Sequence, residues 1–287
     1  MFFQHLANGL LISGIYALVA VGFTLIFGVL EVINFAHGEF YMLGAFIIYM
    51  FAGQIGLPYA LSIPLSVLVS LAIGIFVERT SIRPLLERSF ESMVICTFAI
   101  SMILMNGTLL IWGAEPKIIQ SPLSSPVSFF EIAYTYQRLL VFVVAIVLSL
   151  VLHLFLQRTK TGKAIRAAAQ NKEACLAVGI DIGRISRFTF GLGIGLCGLA
   201  GALVAPVYSV FPTMGQATMF KVFAIVILGG LGNMKGALLA SLILGLGESL
   251  IAGYVSATLK DGLAFLVMVF ILLLRPAGLF GKAVRTL

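Results

Sequence analysis

The stretch Gln157–Arg187, QRTKTGKAIRAAAQNKEACLAVGIDIGRISR, decides how the chain is organised. It holds seven of the eighteen Lys and Arg residues, while the segments on both sides are apolar and nearly free of charge. Cations are costly in hydrocarbon and concentrate in loops on the inner side of a membrane. The stretch is therefore a polar connection between membrane spans, and it faces a soluble partner.

Composition away from the loop agrees. The 287 residues are 61% hydrophobic and 10% charged, with a mean hydropathy of +1.13. A soluble domain carries roughly 25–35% charged residues on its surface, so a soluble fold is excluded. A bilayer crossing needs about 20 apolar residues. The apolar runs suffice for about eight or nine transmembrane helices in an all-α polytopic bundle. A single transmembrane domain over residues 1–287 leaves no room for a soluble one, and membrane lipid is its surroundings.

The net charge of +7 does not point to nucleic acid, because the basic residues sit in loops beside spans. Cys96, Cys175 and Cys197 have neither paired nor metal-ligand spacing and read as small apolar packers. The opening MFFQHLANGLLISG lacks the basic region of a signal peptide and runs straight into a span, so it is expected to be retained.

The expected spans are 6–27, 32–51, 59–77, 93–112, 139–156, 188–211, 218–228, 237–252 and 262–274. Arg79, Arg83 and Arg88 place the loop after the third span inside. The segment 113–137, with few charges, three prolines and a tail rich in β-formers, reads as an outer loop holding a short hairpin. Arg275-Pro276 stops the last span, and Lys282 and Arg285 put that end inside. Counting back from Arg79 places the first residues outside. VINFAHGEF, residues 32–40, is either a turn at the inner surface or a re-entrant element. In the sixth span Gly193, Cys197, Gly201 and Ala205 recur at four-residue spacing, with Gly191 and Gly195 beside them, which makes a helix-packing face.

Within the basic loop, Lys163–Gln170 is Ala-rich and helical. Asn171 caps a second short helix, KEACLAV, which Gly179 ends in the left-handed conformation. The result is a compact knob that can enter a groove on a partner, or simply a solvated loop carrying orienting charge.

Residues 173–179, EACLAVG, resemble the EAA-x-x-x-G cytoplasmic loop of ABC importer permeases, the element that docks into the ATPase subunit. Cys175 departs from the third position, and the isoleucine-leucine-proline ending of some permeases is missing. Four stretches in order extend the likeness over about 280 residues: GLLISGIYALVAVGFTLIFGVLEVINFAHGEFYMLGAF, RAAAQNKEACLAVGID, GGLGNMKGA and LRPAGLFG. The chain resembles the permeases of branched-chain amino acid ABC importers.

That resemblance implies a multi-pass protein of a bacterial or archaeal inner membrane that works by alternating access. It implies a homologous second permease, two cytoplasmic ATPases and an extracytoplasmic substrate-binding protein as partners. It assigns ATPase coupling to Asn171, Lys172, Glu173, Ala174, Gly179, Ile180 and Asp181. The substrates of such permeases include branched-chain amino acids, urea and short amides. No G-x-x-x-x-G-K-[ST] is present, so this chain has no phosphate cradle of that type; ATP hydrolysis is expected in the partner subunits, and no catalytic residue or cofactor is expected in this chain.

Ionisable groups within spans are functional candidates. Asn34, His37 and Glu39 either line the translocation path or hold a broken helix in place; Asn34 and His37, three apart, share a face if they lie on one helix. One His and one Glu do not make a metal site. Gly229, Gly230 and Asn233 are path candidates if the helix breaks there, or they form a tight turn with Asn233 capping the next helix. A hairpin about residues 230–235 would bring Lys221 and Glu248 to one height, where they pair, or else Lys221 snorkels alone. Two rival functions stay open: a secondary transporter relaying ions through His37, Glu39 or Glu248, and a membrane scaffold.

Overall fold

The structure, a computed structural model, describes residues 1–281 apart from 87, 121, 122, 124, 130, 131 and 276. The expectations for Pro276, Lys282 and Arg285 lie outside the described residues. In chain order the elements are α1 (Phe2–Leu30), α2 (His37–Ile48), α3 (Tyr59–Val77), α4 (Phe90–Trp112), β1 (Pro126–Phe129), β2 (Ile132–Thr135) and α5 (Tyr136–Arg158). They continue with α6 (Lys160–Ala168), α7 (Lys172–Ala177), α8 (Ile182–Val204), α9 (Met214–Gly229), α10 (Met234–Tyr254) and α11 (Lys260–Leu274). The protein is an all-α polytopic membrane bundle with one small antiparallel hairpin, β1–β2.

Among the described residues, six helices are long and apolar enough to cross a membrane: α1, α3 with its continuation to Leu85, α4, α5, α8 and α10. Three of the nine expected spans are shorter. α2, α9 and α11 have 12, 16 and 15 residues, which at 1.5 Å each is about 18–24 Å against a hydrocarbon thickness of about 30 Å. In α1 and α8, 78% of the most apolar window is buried, against 17% in α4 and 22% in α5. α1 and α8 are thus the inner pair, while α4 and α5 turn residues such as Ile103, Leu110 and Leu150 outward to lipid.

α8 earns its central place through small residues. A Cβ on Gly193 would meet Ile26 and the Gly22 carbonyl of α1, one on Gly198 would meet Ser70 of α3, and one on Gly201 would meet the Tyr41 carbonyl of α2. Gly44 of α2 in turn faces the Gly198 carbonyl. Without a solvent-driven force between helices in lipid, such backbone-to-backbone approach supplies the packing that joins them. The helix begins at Ile182, six residues before hydropathy suggested. Asp181 caps it, accepting from the Arg184 N–H at 2.9 Å, so Arg184 and Arg187 ride on its first turns instead of in a loop.

The segment 31–40 is not a turn at the inner surface but the first part of a return through the bundle. α1 ends at Leu30, where Glu31 takes a left-handed φ of 61°. Residues 31–36 then climb back into the bundle, since the His37 imidazole meets the Val19 carbonyl at 3.0 Å, eleven residues up α1 or about 16 Å. A carbonyl only accepts, so Nε2 carries the proton and donates. α2 starts there, inside the bundle, and a wide π-helical turn, Tyr49–Gln54, continues it. Asn34 precedes the helix, so it does not share a helical face with His37 as one-helix spacing suggested. Its Oδ1 instead accepts from Ala36 N–H at 3.1 Å, a turn that launches α2.

The end carrying α6 and α7 is termed the basic end, and the opposite end the hairpin end. Backbone bonds in both directions between Lys117 and Val210, each 2.8 Å, tie the 113–125 loop to the segment between α8 and α9. Leucine at position 201 would push against the Tyr41 backbone, which cannot yield without moving α2. We expect Gly201→Leu to cost at least about 2–3 kcal/mol. Gly107→Ala, in an open position of α4, should change stability by no more than about 1 kcal/mol, in the stabilising direction. Thermal unfolding of the two detergent-solubilised variants checks this, and equal midpoints would contradict the packing argument.

Candidate functional site

Two regions gather the functional candidates: a cavity in the hairpin half of the bundle, and the knob at the basic end.

The cavity has a volume of about 490 Å³ and lies between α1, α5, α9 and α10, roofed by Val207–Ser209 and Phe211. Leu11, Ile12, Ile15 and Val141 form an apolar wall. Polar groups stand opposite. Lys221 of α9 places Nζ 3.1 Å from Glu248 Oε2 on α10, 3.1 Å from the Tyr16 hydroxyl on α1, and 2.8 Å from Asp261 Oδ1 on α11. The Tyr16 hydroxyl donates to the same Glu248 oxygen at 2.6 Å. Four helices therefore converge on one ammonium group.

The Glu248 side chain is 3% exposed and that of Lys221 16%. A charge so enclosed persists only when paired and hydrogen-bonded, and here it is. The α9–α10 turn explains how the pair meets: Gly229 packs against Gly236, and the two helices run back antiparallel. Tyr16 and Asp261 were not anticipated. Tyr16 sits in an uninterrupted apolar run, and Asp261 follows Lys260 at the start of a helix whose rotation sequence spacing does not set. An amphiphilic Tyr facing a lone buried carboxylate was the only available signal.

The other path candidates lie elsewhere. His37 and Glu39 are buried. Glu39 Oε1 accepts from the Ser101 hydroxyl at 3.3 Å, and a Cβ on Gly215 would strike its other oxygen. Cys197 Sγ bonds the His37 carbonyl at 3.0 Å. Gly229, Gly230 and Asn233 form a tight turn at the basic end. Asn233 accepts from the Gly236 N–H at 3.1 Å as the cap of α10, and its amide donates to the Phe280 carbonyl at 2.8 Å. None of Asn34, His37, Glu39, Gly229, Gly230 and Asn233 lines the cavity.

The knob is built from caps. Thr159 accepts from the Gly162 N–H at 2.9 Å to start α6, and Asn171 from the Ala174 N–H at 2.9 Å to start α7. α7 stops in a Schellman-type turn: the Ile180 N–H reaches the Cys175 carbonyl at 2.9 Å while Gly179 takes φ +79°. Ile165, Ala168 and Cys175 are buried and hold the knob to the body. Arg166 Nε donates to the Leu156 carbonyl at 3.0 Å, and Lys172 lies 3.6 Å from Glu31 at the end of α1. Both partners of that last pair are exposed enough for it to contribute little. Glu173, Ala174, Leu176 and Val178 face outward.

At the start of α8, the Arg184 N–H holds the Asp181 carboxyl below its usual range, ahead of the nearby arginines. This cap is complete above the ordinary Asp pKa and is lost only as pH falls through the lowered value.

Replacing Lys221 by Met leaves Glu248 buried without its cation. We expect Lys221→Met to destabilise the protein by about 3 kcal/mol, and Lys221→Met/Glu248→Gln to recover most of that loss. Thermal unfolding in detergent reads both, and a single variant as stable as the parent would show that the pair carries no such burden.

The chain matches the family described as "Branched-chain amino acid transport system / permease component" over residues 5–272. It is 32% identical to the high-affinity branched-chain amino acid transport system permease protein BraD of Pseudomonas aeruginosa, over 98% of this chain and 96% of that one. It is 29% identical to LivH, the corresponding permease protein of Escherichia coli, over the same shares. LivM of Salmonella typhimurium, also a permease protein of such a system, is 26% identical over 92% of this chain and 67% of its own length. Among solved structures, PsaBC from Streptococcus pneumoniae in complex with Fab has the same fold, with a TM-score of 0.51 at 14% identity, covering 96% of this chain and 90% of that one. With its membrane bundle, the chain belongs to the permease-component family of branched-chain amino acid transport systems.

Proposed function

We propose that this chain is the transmembrane permease subunit of an ATP-driven ABC importer, and that it translocates branched-chain or related amino acids by alternating access. It pairs with a homologous second permease, two cytoplasmic ATPases and an extracytoplasmic substrate-binding protein in the inner membrane of a bacterial or archaeal cell. The likeness to both LivH and LivM supports a partner permease of related sequence. The chain does no covalent chemistry; hydrolysis belongs to the ATPases, and residues 1–287 act as one transmembrane domain.

The observation that carries the coupling assignment is the outward face of α7. Leu176 is 61% and Val178 74% exposed, beside the exposed Glu173, on a short helix whose two ends are fixed by Asn171 and Gly179. Apolar side chains projecting into water on a rigid stub are the pattern of a surface that a groove covers. Asn171 and Asp181 set the shape of the knob, Lys172 lies beside Glu31 of α1, and Glu173, Ala174, Gly179 and Ile180 form its docking part. Closure of the ATPases around it would shift α6–α8, and with α8 every helix packed on its glycines. The polar groups Asn34, His37 and Glu39 serve the path by holding the start of α2 within the bundle, and Gly229, Gly230 and Asn233 by closing the α9–α10 turn.

Proline cannot adopt the φ of Gly179, and lysine reverses the charge at Glu173. We expect Gly179→Pro and Glu173→Lys to insert and assemble, yet to lower ATP-driven uptake by more than about tenfold, roughly 1.4 kcal/mol of coupling. Reconstituted proteoliposomes holding the whole complex and its binding protein provide the assay. Normal uptake with full ATPase coupling in both variants would remove the docking role, and wild-type uptake driven by an ion gradient alone would instead identify a secondary transporter.

A further inference from the structure

Three arginines from two distant parts of the chain converge where α8 begins. A Cβ on Gly183 would strike the Arg83 guanidinium, which arrives from the foot of α3. Arg187 Nε donates to the Gly183 carbonyl at 3.2 Å, and Arg184 Nε lies 3.8 Å from Asp181 Oδ2. Like charges repel, and no local rule requires Arg83 to join the other two. Two acids face them: Asp181, and from α3 the buried Glu78.

Those acids leave the cluster unsatisfied. Asp181 is committed to the Arg184 N–H as the cap of α8. Neither oxygen of Glu78 has a hydrogen-bond partner among the described residues, so it offsets charge without engaging a guanidinium. Three cations against two anions leave one positive charge in excess. The Arg83 guanidinium makes no hydrogen bond or ion pair among the described residues, and the Arg184 side chain is 82% exposed. Most of the donors on these groups are unspent.

The cluster also sits at a definite depth. The helix that begins at Tyr59 runs on through π and 3-10 turns to Leu85. At about 1.5 Å per residue, the roughly 30 Å of hydrocarbon end near Glu78, and Arg83 stands about 7 Å beyond, level with the lipid headgroups. Apolar side chains lie open to lipid just above: Phe76, two turns from Arg83, is 66% exposed, and Phe188, one turn from Arg184, is 40% exposed. The anion found at that depth, beneath acyl chains, is a phospholipid phosphate, whose oxygens a guanidinium fork matches in pairs. The apolar docking residues Leu176 and Val178 belong to α7, so ATPase coupling does not account for these arginines.

We infer that Arg83, Arg184 and Arg187 form a binding site for the headgroup of an anionic phospholipid, in the leaflet at the basic end and at the junction of α3 with α8. The site goes beyond the transport reading and depends on neither the substrate nor the ATPases. Arg83 and Arg184 offer free forks, and Arg187, held by the Gly183 carbonyl, offers its remaining donors. The phosphate would bridge the foot of α3 to the first turn of α8, where no ion pair among the described residues joins the two helices. Basic pockets between membrane helices are general sites for such headgroups.

The test is native mass spectrometry of the full chain in detergent, titrated with phosphatidylglycerol or with phosphatidylcholine of the same acyl chains. The parent is expected to hold phosphatidylglycerol at least about tenfold more tightly. Arg83→Gln/Arg184→Gln should lose that preference; the cap of α8 survives because it uses the Arg184 backbone N–H, and a parent-like unfolding midpoint without lipid verifies the fold. Arg83→Gln alone, which has no bond to forfeit, should lose at least about threefold. Lys160→Gln/Lys163→Gln removes the same charge from the exposed face of α6 and should keep the full preference.

An unchanged preference in both arginine variants would overturn the site. Equal losses in the arginine and lysine double variants would do the same, by showing attraction to diffuse charge. Displacement of phosphatidylglycerol by excess inorganic phosphate would assign the cluster to a free anion instead. If the arginine double variant keeps its lipid but fails to assemble with the ATPases, the cluster is a protein contact and the lipid site is wrong.

Discussion

No Cβ fits where α8 crosses α2. Gly198 and Gly44 meet backbone to backbone, Gly201 lies against the Tyr41 carbonyl, and on other faces Gly193 meets α1 and Gly191 meets Ile75 of α3. Lipid tails are as apolar as the side chains they replace, so burying Leu or Phe between helices gains little there, and short-range packing has to hold the bundle. A helix of ordinary residues would stand off from its neighbours by the width of its side chains. α8 lets three helices close around it, and its first turn is continuous with the basic-end knob.

The second constraint is that polar backbone cannot be left bare in hydrocarbon. α2 begins inside the bundle, which would strand the donors of its first turn. The His37 and Glu39 N–H groups donate to the Asn34 and Ala36 carbonyls, and the Asn34 turn, the His37 bond to Val19, the Cys197 thiol on the His37 carbonyl and the Thr97 hydroxyl on the Ile33 carbonyl tie the break to its neighbours. Both inner helices, α1 and α8, take part, along with α4. The same logic governs the cavity, where one lysine is tolerated because three oxygens from three other helices meet it. In both places an expensive group serves as a junction, because it is stable only while several helices stay in register.

The knob was legible in sequence because its rules are local. A cap needs an Asn or Asp and the following N–H groups, and a Schellman-type stop needs a residue at ease with positive φ, so Asn171 and Gly179 could be placed from their neighbours alone. Hydropathy misplaced the start of α8 because it counts Arg184 and Arg187 as loop, although a capped helix carries charge freely on turns outside the lipid. It also set the second span to begin at residue 32, whereas α2 begins only at His37, inside the bundle, and runs on through the π-helical turn to Gln54. The Lys221–Glu248 pair could be expected from a single hairpin, whereas Tyr16 and Asp261 arrive from helices whose rotation no hairpin determines.

By itself the sequence determined that the chain lies in a membrane, where its basic loop falls, which residues cap and end the knob, and that one face of the sixth span packs against other helices. These follow from hydrophobicity, charge and neighbours a few residues apart. Tertiary structure alone decided that residues 31–36 turn back into the bundle, which helices α8 touches, and that three helices bring their oxygens to the ammonium group of a fourth beside a cavity. Those outcomes depend on the depth and rotation of helices relative to one another, which close packing among distant segments sets and no local periodicity encodes.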